Sequence, residues 1–521
     1  MKKMNLKYRL FRLFTLLAVL FITPLLLQNC SKKNLNLTNP NALPSSAFWK
    51  TADDAEKGLV ACYGPLTSIQ GRGRMMGAIL TTQRGDDINP FPSPNVQDAG
   101  TFIVQPTDGR VSEGWGELNA IVARTNAVIF NVPNIAMDAS QKARIIGEAY
   151  FLRSVAHFYL LNMWGNIPLI TTPIAEVNDL FVEQASKDLV WASIISDAKD
   201  AQSRLPVTVA AKDIGRATSG AATAMLGKAY LFTQKWAEAA AEFKKIIDNP
   251  GLYQLVANYQ DNFLQEKNNN TESIWELQYQ STANANWGTS GTANPLRGQA
   301  WEPDIAPVGS TSQGTATVNQ WVYDLFLKEK TLGNKIDPRA YATMVWNYPG
   351  AKVYQQDFTA ALSGANLNKI WIRKYLNYNR VSSLDPGEWG YATNNRRMIR
   401  FADVLLMYAE AQNEAAGADA TAYAAINKVR DRANMPPITP GLNKDAFRKA
   451  VRDERVLELS LEGDRVFDLL RWGIMASTFT THPEYRSNSG SQPFKPGFIY
   501  LPIPQNDIDA NPKIKQNPDY K

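Results

Sequence analysis

The chain has 521 residues, of which 45% are hydrophobic and 20% are charged, and its formal net charge is +6. Residues 1–29 contain five of the lysines and arginines and no acidic residue, which leaves a net charge of +1 for the rest. No clustered basic stripe remains, which argues against a nucleic-acid partner. The length is sufficient for two or three domains, or for one large helical array.

The first predicted element is an export signal over residues 1–29. Its basic start precedes an apolar run, residues 13–27, which is shorter than the roughly 20 apolar residues of a membrane-spanning helix. The run ends in Leu-Gln-Asn-Cys, which resembles a relaxed lipobox in which the thiol of Cys30 is lipidated. Because two acyl chains make a stable anchor, we expect attachment to a membrane through Cys30, with residues 30–46 as a flexible tether. The alternative is an ordinary signal peptide with a chance cysteine.

Cysteine and histidine are too scarce for several kinds of site. Once Cys30 is lipidated, Cys62 has no cysteine left to pair with, so no internal disulfide is expected. The two histidines, His157 and His482, cannot build a histidine-rich metal centre. His157 lies in an apolar helical run, where a packed side chain is a better interpretation than a catalytic base. We expect neither a metal nor a cofactor.

Helices are predicted along the first half of the chain. Apolar residues recur at helical spacing over 113–132 and 141–165, and two further helices are predicted at 48–66 and 187–206. Residues 68–112 are rich in glycine, proline, asparagine and aspartate, which predicts loops.

Residues 220–253 match one tetratricopeptide unit. Its packing positions are occupied by Leu226, Gly227, Tyr230, Trp236, Ala239 and Phe243. The small Gly227 and Ala239 allow two helices to approach closely, and the large residues fill the groove between them. Because one unit cannot bury its own apolar face, neighbouring helix pairs are expected, with 401–416 and 421–433 as a further pair. The pattern predicts a mostly α stack of helix pairs with long excursions on one side.

Two long loops carry aromatic residues. Residues 281–317 have no sustained period and contain Trp287 and Trp301. Residues 377–397 contain Trp389 and Tyr391. A loop this long inside a compact domain is usually functional or disordered, and tryptophan argues against disorder.

The densest charge pattern lies in RDERVLELSLEGDRVFDLLRWG, residues 452–473, which predicts one helix. Four charged residues share one side of that helix: Glu454, Glu458, Glu462 and Arg465. Three acids of the helix predicted at 400–417 are candidate partners for such arginines: Asp403, Glu410 and Glu414. The closing residues 501–520 contain too many turn formers for a helix.

These segments together resemble the SusD/RagB family of outer-membrane nutrient-binding lipoproteins of Bacteroidetes. The resemblance runs almost end to end and includes Cys30, FWKTADDAEKGLVACYGPL, GEAYFLRSVAHFYLLNMWGNIPL, GRATSGAATAMLGKAYLF, RFADVLLMYAEAQNEAAG, INKVRDRANMP, DERVLELSLEGDRVFDLLRWG and the closing LPIP…NP…QNPDY.

The resemblance implies four tetratricopeptide-like helix pairs that form a superhelical scaffold with an irregular, loop-rich ligand-binding face. It implies one SusD-like domain over 47–521, with a helical part at about 47–260 and a loop-rich C-terminal part at about 261–521. It also implies a surface lipoprotein that acts as the lid of a SusC-like TonB-dependent transporter and binds glycans, or less often other nutrients, before import. The shared motifs are structural, so no ligand residue is carried over from them.

Binding has better support than catalysis. Paired carboxylates can cleave glycosides, and the pairs to consider are Glu454 with Glu458 and Asp86 with Asp87. The glutamates lie among arginines, which would keep them ionised and unfit as general acids, and the aspartates suit a turn. No G-x-S-x-G elbow, phosphate-binding loop or HExxH motif is present. We therefore expect a protein that is not an enzyme.

A sugar-binding site needs aromatic rings for the C–H face of a pyranose and polar groups for its hydroxyl rim. The candidates from the loops are Trp287, Trp301, Trp389, Tyr391, Phe91 and Asp87. For any one ring the alternative is that it pins its own loop to the scaffold. Four other tryptophans lie in helical motifs and are expected in the core: Trp115, Trp164, Trp236 and Trp472.

Two alternatives to a glycan binder stay open from the sequence. The chain could cap a transporter and bind its ligand only within that complex. It could also be a lid for oligopeptides, for which a groove of backbone-matching polar groups would suit better than stacked tryptophans. The tryptophan-bearing loops favour a glycan.

Overall fold

A computed structural model describes Phe11 and residues 48–71, 82–91, 98–174, 176–280, 302, 305–307, 314, 316–380, 392–487 and 493–520. Several predicted features lie outside the described residues: the export signal 1–29 apart from Phe11, the tether 30–46 with Cys30, and the side chains of Trp287, Trp301, Trp389 and Tyr391.

The N-terminal half is helical, as the apolar periodicity predicts. Its helices are α1 (Ala52–Gly71), α2 (Asp98–Thr101), α3 (Gly109–Asn131), α4 (Ala139–Trp164), α5 (Lys187–Arg204), α6 (Ser219–Phe232) and α7 (Trp236–Ile247). Four of them begin at a side chain that accepts a hydrogen bond from a backbone N–H of the first turn, and these capping residues are Asp108, Asp138, Ser186 and Thr218.

The C-terminal half mixes long helices with short ones. They are α8 (Gln320–Lys328), α9 (Arg339–Thr343), α10 (Phe358–Ala361), α11 (Phe401–Ala416), α12 (Ala420–Arg432), α13 (Lys444–Leu459), α14 (Arg465–Arg471), α15 (Met475–Thr481) and α16 (Gln505–Ala510).

The long helices pack in an order that follows the chain. Helix α3 lies against α1 and α4, and α5, α6 and α7 follow in turn. Helix α7 then packs on α11, which also contacts α12 and α13. The prediction of a mostly α stack of helix pairs is confirmed, and packing continues from one half of the chain into the other.

The predicted tetratricopeptide unit is formed by α6 and α7. A Cβ atom built on Gly227 would come within 2.6 Å of the Phe243 ring, so only glycine permits this approach. Ala239 is fully buried in the same interface. Trp115 and Trp164 are in the core, as expected, whereas Trp236 and Trp472 are only half-buried.

Short antiparallel strands connect segments of the chain. They are β1 (Ile88–Pro90), β2 (Ser273–Leu277), β3 (Ala316–Val318), β4 (Met344–Val345), β5 (Lys352–Val353), β6 (Gln356–Asp357), β7 (Trp371–Ile372) and β8 (Arg396–Arg400). The four-stranded sheet has the order β1-β3-β7-β4, and the pairs β2-β8 and β5-β6 complete the set among the described residues. All of these pairs except β5-β6 join segments that are far apart in sequence. Ile88 faces Val318 and Val345 faces Trp371 in the register.

The C-terminal segment 493–520 lies against the N-terminal helices. The Leu501 N–H donates to the Met163 carbonyl at 2.7 Å, and the Asn517 side-chain amide donates to the Trp164 carbonyl at 2.8 Å. The prediction that residues 501–520 hold no helix is wrong, because α16 forms one and a half turns there.

The single helix predicted over 452–473 is two helices with a sharp turn between them. Helix α13 ends at Leu459, and Leu461 and Gly463 then adopt φ values of 67° and 93°. Distant groups hold this turn, because the Lys374 ammonium donates to the Ser460 carbonyl at 2.7 Å and the Leu461 N–H donates to Asp87 at 2.8 Å. Glu462 therefore lies beyond the helix that carries Glu458.

No helix among the described residues is long and apolar enough to cross a bilayer.

The close approach at Gly227 gives a stability prediction with an internal control. Gly227→Ala should lower the free energy of unfolding by about 1–3 kcal/mol, because the added methyl group overlaps the Phe243 ring. Gly116→Ala, at an exposed position of α3 with open space around its Cβ position, should raise it by about 0.5–1 kcal/mol. Urea unfolding of both variants measures this. Equal effects at the two positions would contradict the packing argument.

Candidate functional site: an aromatic cluster beside a polar cleft

Four aromatic side chains meet on the surface between α8 and β4, and we call Tyr323, Tyr341, Trp346 and Tyr348 the aromatic cluster. Trp346 is at its centre, with ring centroids 5.1 Å from Tyr323, 5.2 Å from Tyr341 and 4.7 Å from Tyr348. The Tyr341 ring is nearly parallel to the indole, at 25°, and the Tyr323 ring meets it edge-on, at 69°. The cluster therefore presents rings in several orientations.

The local sequence explains the position of three of these rings. Tyr341 lies in α9, and Trp346 directly follows β4, whose two residues are buried against β7. Residues Tyr348-Pro349-Gly350-Ala351 form a turn, in which the Ala351 N–H donates to the Tyr348 carbonyl at 2.9 Å. Proline at the second position and Gly350 with φ 82° are the signature of a type II turn.

The aromatic cluster is half-buried, and its polar atoms are available to a ligand. All four side chains have intermediate exposure. Within the described part of the chain, no protein group hydrogen-bonds to the hydroxyls of Tyr323, Tyr341 and Tyr348 or to the indole N–H of Trp346. By contrast, the half-buried Tyr63 donates to Glu148 at 2.6 Å and the buried Tyr259 donates to the Glu458 carbonyl at 2.7 Å.

A shallow polar cleft of about 540 Å³ adjoins the aromatic cluster at Tyr348. Its polar lining comes from Asn347, Asp357 and Thr359, and the rest comes from the turn and from Phe358. Carboxylate, amide and hydroxyl groups beside exposed rings match a ligand with alternating C–H faces and hydroxyl groups.

The predicted site residue Phe91 is half-buried beside the four-stranded sheet. Its ring centroid is 6.0 Å from that of Trp371, and the Lys369 ammonium is 4.3 Å from the Phe91 centroid. Burial lowers the pKa of Lys369. A ligand that stacks on this face of Phe91 would have to move Lys369 aside.

Asp87 is not a surface group, contrary to the expectation from its loop-like sequence. Its side chain is only 1% exposed, and its carboxylate accepts the hydrogen bond from the Leu461 N–H. Burial, together with the neighbouring Asp86, raises the pKa of Asp87 to about 6. The structure places this carboxylate where it fixes the turn after α13, out of reach of a surface ligand.

The carboxylates that a hydrolase would need are held in buried ion pairs. Glu458 is fully buried and contacts three guanidinium groups, those of Arg339 at 3.0 Å, Arg400 at 2.5 Å and Arg432 at 2.5 Å. Glu454 bridges Arg339 and Arg430. The expected ion pairing of these glutamates is confirmed, and neither is accessible to a substrate.

Two acids of α11 pair with arginines of residues 452–473, as predicted: Asp403 with Arg455 and Glu410 with Arg471. Glu414 pairs instead with Arg448, which precedes that stretch. Arg465 forms its ion pair with Asp86, which together with Asp87 was the second pair of carboxylates considered for glycoside cleavage.

His157 is 1% exposed in α4, and burial lowers its pKa to about 3, consistent with a packed residue.

The aromatic cluster was missed in the sequence because its members come from two segments. The stretch YATMVWNYPG, residues 341–350, does carry a usable signal, since three aromatic residues precede a proline–glycine turn. Tyr323 belongs to another helix, and only the fold brings it to Trp346.

Comparison with known proteins identifies the family. A family model described as the SusD family matches residues 271–520, and one described as starch-binding associating with outer membrane matches residues 63–231. The chain belongs to the SusD-like family. A curated relative, SusD-like protein P25 of Formosa agariphila, is 27% identical over an alignment of 516 positions, which covers 92% of this chain and 94% of the relative.

Solved structures of SusD-like proteins share the fold. A SusD superfamily protein from Bacteroides vulgatus is 28% identical with a TM-score of 0.77, and the match covers 90% of this chain and 99% of that one. A laminarin-binding SusD-like protein is also 28% identical, with a TM-score of 0.74 and coverage of 91% and 100%.

The buried ion pairs predict an acid-sensitive fold. Burial alone raises the pKa of Glu458, but Arg432, Arg400 and Arg339 outweigh it and hold the pKa below its usual range. Arg455 and Arg471 likewise lower the pKa of Asp468 to about 2 against its burial. A carboxylate whose pKa is lower in the folded than in the unfolded chain stabilises the fold at pH values above its unfolded pKa, which is near 4.5. The free energy of unfolding should therefore fall as the pH drops below about 4.5.

Glu458→Gln should remove much of that acid dependence and should cost about 3–5 kcal/mol at pH 7, because it leaves buried guanidinium charges uncompensated. The matched control is Asp53→Asn, which removes an exposed partner of Lys57 and should leave the unfolding free energy unchanged. Urea unfolding between pH 3 and pH 8 measures both. A Glu458→Gln variant as stable as the control would show that the network is dispensable.

Asp87 should act in the opposite sense. Its pKa is raised to about 6 in the folded state, so it stabilises the fold below the unfolded pKa near 4 and this contribution is lost as the pH rises through 6. Between pH 4 and 7 the parent should lose about 1–3 kcal/mol of unfolding free energy through the ionisation of Asp87. Asp87→Asn keeps an acceptor for the Leu461 N–H and should remove this loss. Thermal unfolding against pH tests this, and a pH profile identical to that of the parent would argue that the fold does not raise the pKa of Asp87.

Proposed function

We propose that this SusD-like protein binds a glycan at the aromatic cluster and the adjoining cleft, without catalysing its hydrolysis. The supporting observation is the combination of four half-exposed rings, free hydroxyl groups among the described residues, and a polar cleft on the same surface. Aromatic rings cover the C–H face of a sugar at low entropic cost, and the polar lining supplies partners for its hydroxyls.

The relatives support the same ligand class. The laminarin-binding relative is named for a glycan, and one of the two matching family descriptions is starch-binding. The hydrolase alternative has no comparable support, since both candidate carboxylate pairs are held by arginines or the backbone.

The proposed function includes a cellular role for the bound glycan. We infer attachment to the outer membrane through lipidated Cys30, exposure at the cell surface and delivery of the glycan to a SusC-like TonB-dependent transporter. We also propose that the glycan contacts Trp287, Trp301, Trp389, Tyr391 and Phe91. The family resemblance and the family description that names the outer membrane support this proposed role.

Trp346→Ala tests the site directly. The variant should lose about tenfold or more in glycan affinity, because the central ring of the aromatic cluster contributes its own contact and orients three others. Calorimetric titration of the purified chain with laminarin, starch, xylan and galactomannan, and with oligopeptides, measures the affinity and identifies the ligand class. Saturable heat without continuing heat of turnover would indicate binding without catalysis.

The matched control is Phe130→Ala, which removes a 63% exposed ring from α3, away from the aromatic cluster. Phe130→Ala should keep full affinity and the melting temperature of the parent. Trp346→Ala should remain folded with a lower melting temperature, because its half-buried ring packs on the core. If Trp346→Ala keeps its glycan affinity and the double variant Trp287→Ala/Trp301→Ala loses it, the binding site is formed by the loop residues and not by the aromatic cluster. Saturation with peptides only would replace the glycan by a peptide.

A further inference from the structure

A second group of rings lies on the other flank of α8, and we call Trp321, Tyr485 and His482 the second aromatic row. The His482 and Tyr485 rings are stacked, with centroids 4.8 Å apart and an angle of 14°. The Tyr485 and Trp321 centroids are 6.0 Å apart, at 37°. Neither the sequence patterns nor the proposed function accounts for this row.

Buried hydrogen bonds fix the row in place. The Asn319 side-chain amide, only 4% exposed, donates to the carbonyls of Asp86 at 2.8 Å, Ile88 at 2.9 Å and Tyr485 at 3.2 Å. The Trp321 indole N–H donates to the Asp86 carbonyl at 2.7 Å. Because these hydrogen bonds already hold the residues of the row, binding a ligand costs little conformational entropy.

The outer side of the row carries groups that a sugar can contact. The side chains of His482 and Glu484 are 45% and 62% exposed. Within the described part of the chain, no protein group hydrogen-bonds to the Tyr485 hydroxyl. The Asn89 side-chain amide donates an exposed hydrogen bond of 2.9 Å to the hydroxyl of Ser487, two residues after Tyr485 in the chain.

The geometry of α8 relates the row to the aromatic cluster. Trp321 and Tyr323 are two residues apart, which places them about 200° apart around a helix and therefore on opposite flanks. Val322 and Phe326 are buried on the inner side, whereas Gln320 and Asp324 are exposed and hydrogen-bonded to each other at 2.9 Å. The exposed ridge of α8 therefore separates two ring-bearing surfaces.

We propose that the second aromatic row is an additional subsite for the same glycan, whose chain crosses the exposed ridge of α8. This inference rests on the proposed function and specifies its ligand as a chain long enough to span a helix of about 10 Å diameter. A mono- or disaccharide would occupy the aromatic cluster alone. A longer chain would also contact Tyr485 and His482, and its affinity would rise because the second contact is intramolecular.

Tyr485→Ala separates the two subsites. The full chain is titrated with laminarin, starch, xylan and galactomannan and with oligosaccharides of increasing length from each. The variant should bind the long oligosaccharides and the polysaccharide about three- to tenfold more weakly and the shortest binding oligosaccharide equally well. His482→Ala, at an exposed position, should give a smaller loss with the same dependence on length.

Three controls keep the outcomes distinct. Trp346→Ala should weaken binding at every length, Phe130→Ala at none, and thermal melting should show that all variants are folded. Equal affinity of Tyr485→Ala and the parent for every length would overturn the second subsite while leaving the proposed function intact. Loss at every length, including the shortest, would also overturn it, because Tyr485 would then belong to one undivided site. No binding of any glycan by the parent would reject the proposed function itself.

Discussion

The structure depends on a buried network of carboxylates and guanidinium groups centred on Glu458. Arg400 from β8, Arg432 from α12 and Arg339 from the start of α9 converge on this residue of α13. Burying a charge without a partner is costly, whereas a set of matched charges with good geometry can be retained in a core. If one of these elements were missing, a buried charge would be left without a partner. The elements can therefore pack stably here only together, although they are distant in sequence.

The same network positions the candidate site. Arg339 binds Asp337, Glu454 and Glu458, and it is also the first residue of α9. Tyr341 follows two residues later, and β4 then leads directly to Trp346. A buried, fully paired arginine thus fixes the start of the segment that carries most of the aromatic cluster. Ligand-binding rings on loops are most effective when a rigid scaffold holds them. Here buried ion pairs, as well as apolar packing, hold that scaffold together.

Local patterns predicted the parts of this molecule that local forces determine. Helical periodicity located the long helices, and the small Gly227 opposite Phe243 located one helix pair. The turn after Leu459 was missed because Lys374 and Asp87, from distant segments, hold it. Asp87 was expected at the surface because its neighbours are turn formers, but its partner is 374 positions away. The aromatic cluster was missed for the same reason, since the position of Tyr323 relative to Trp346 is a property of packing and not of either segment.

The contact between the two ends of the chain has a consequence for how the protein can fold. The Arg84 guanidinium donates to the carbonyls of Phe498 and Ile499, more than 400 positions later, and residues 501–517 cover the end of α4. Contacts of such long sequence separation slow folding, because the loop must close before the contacts stabilise it. During synthesis, the C-terminal segment is made after the N-terminal helices. The surface of these helices that it covers therefore stays exposed until the segment has been made. The N-terminal helices reach their native packing only after these C-terminal residues have been made.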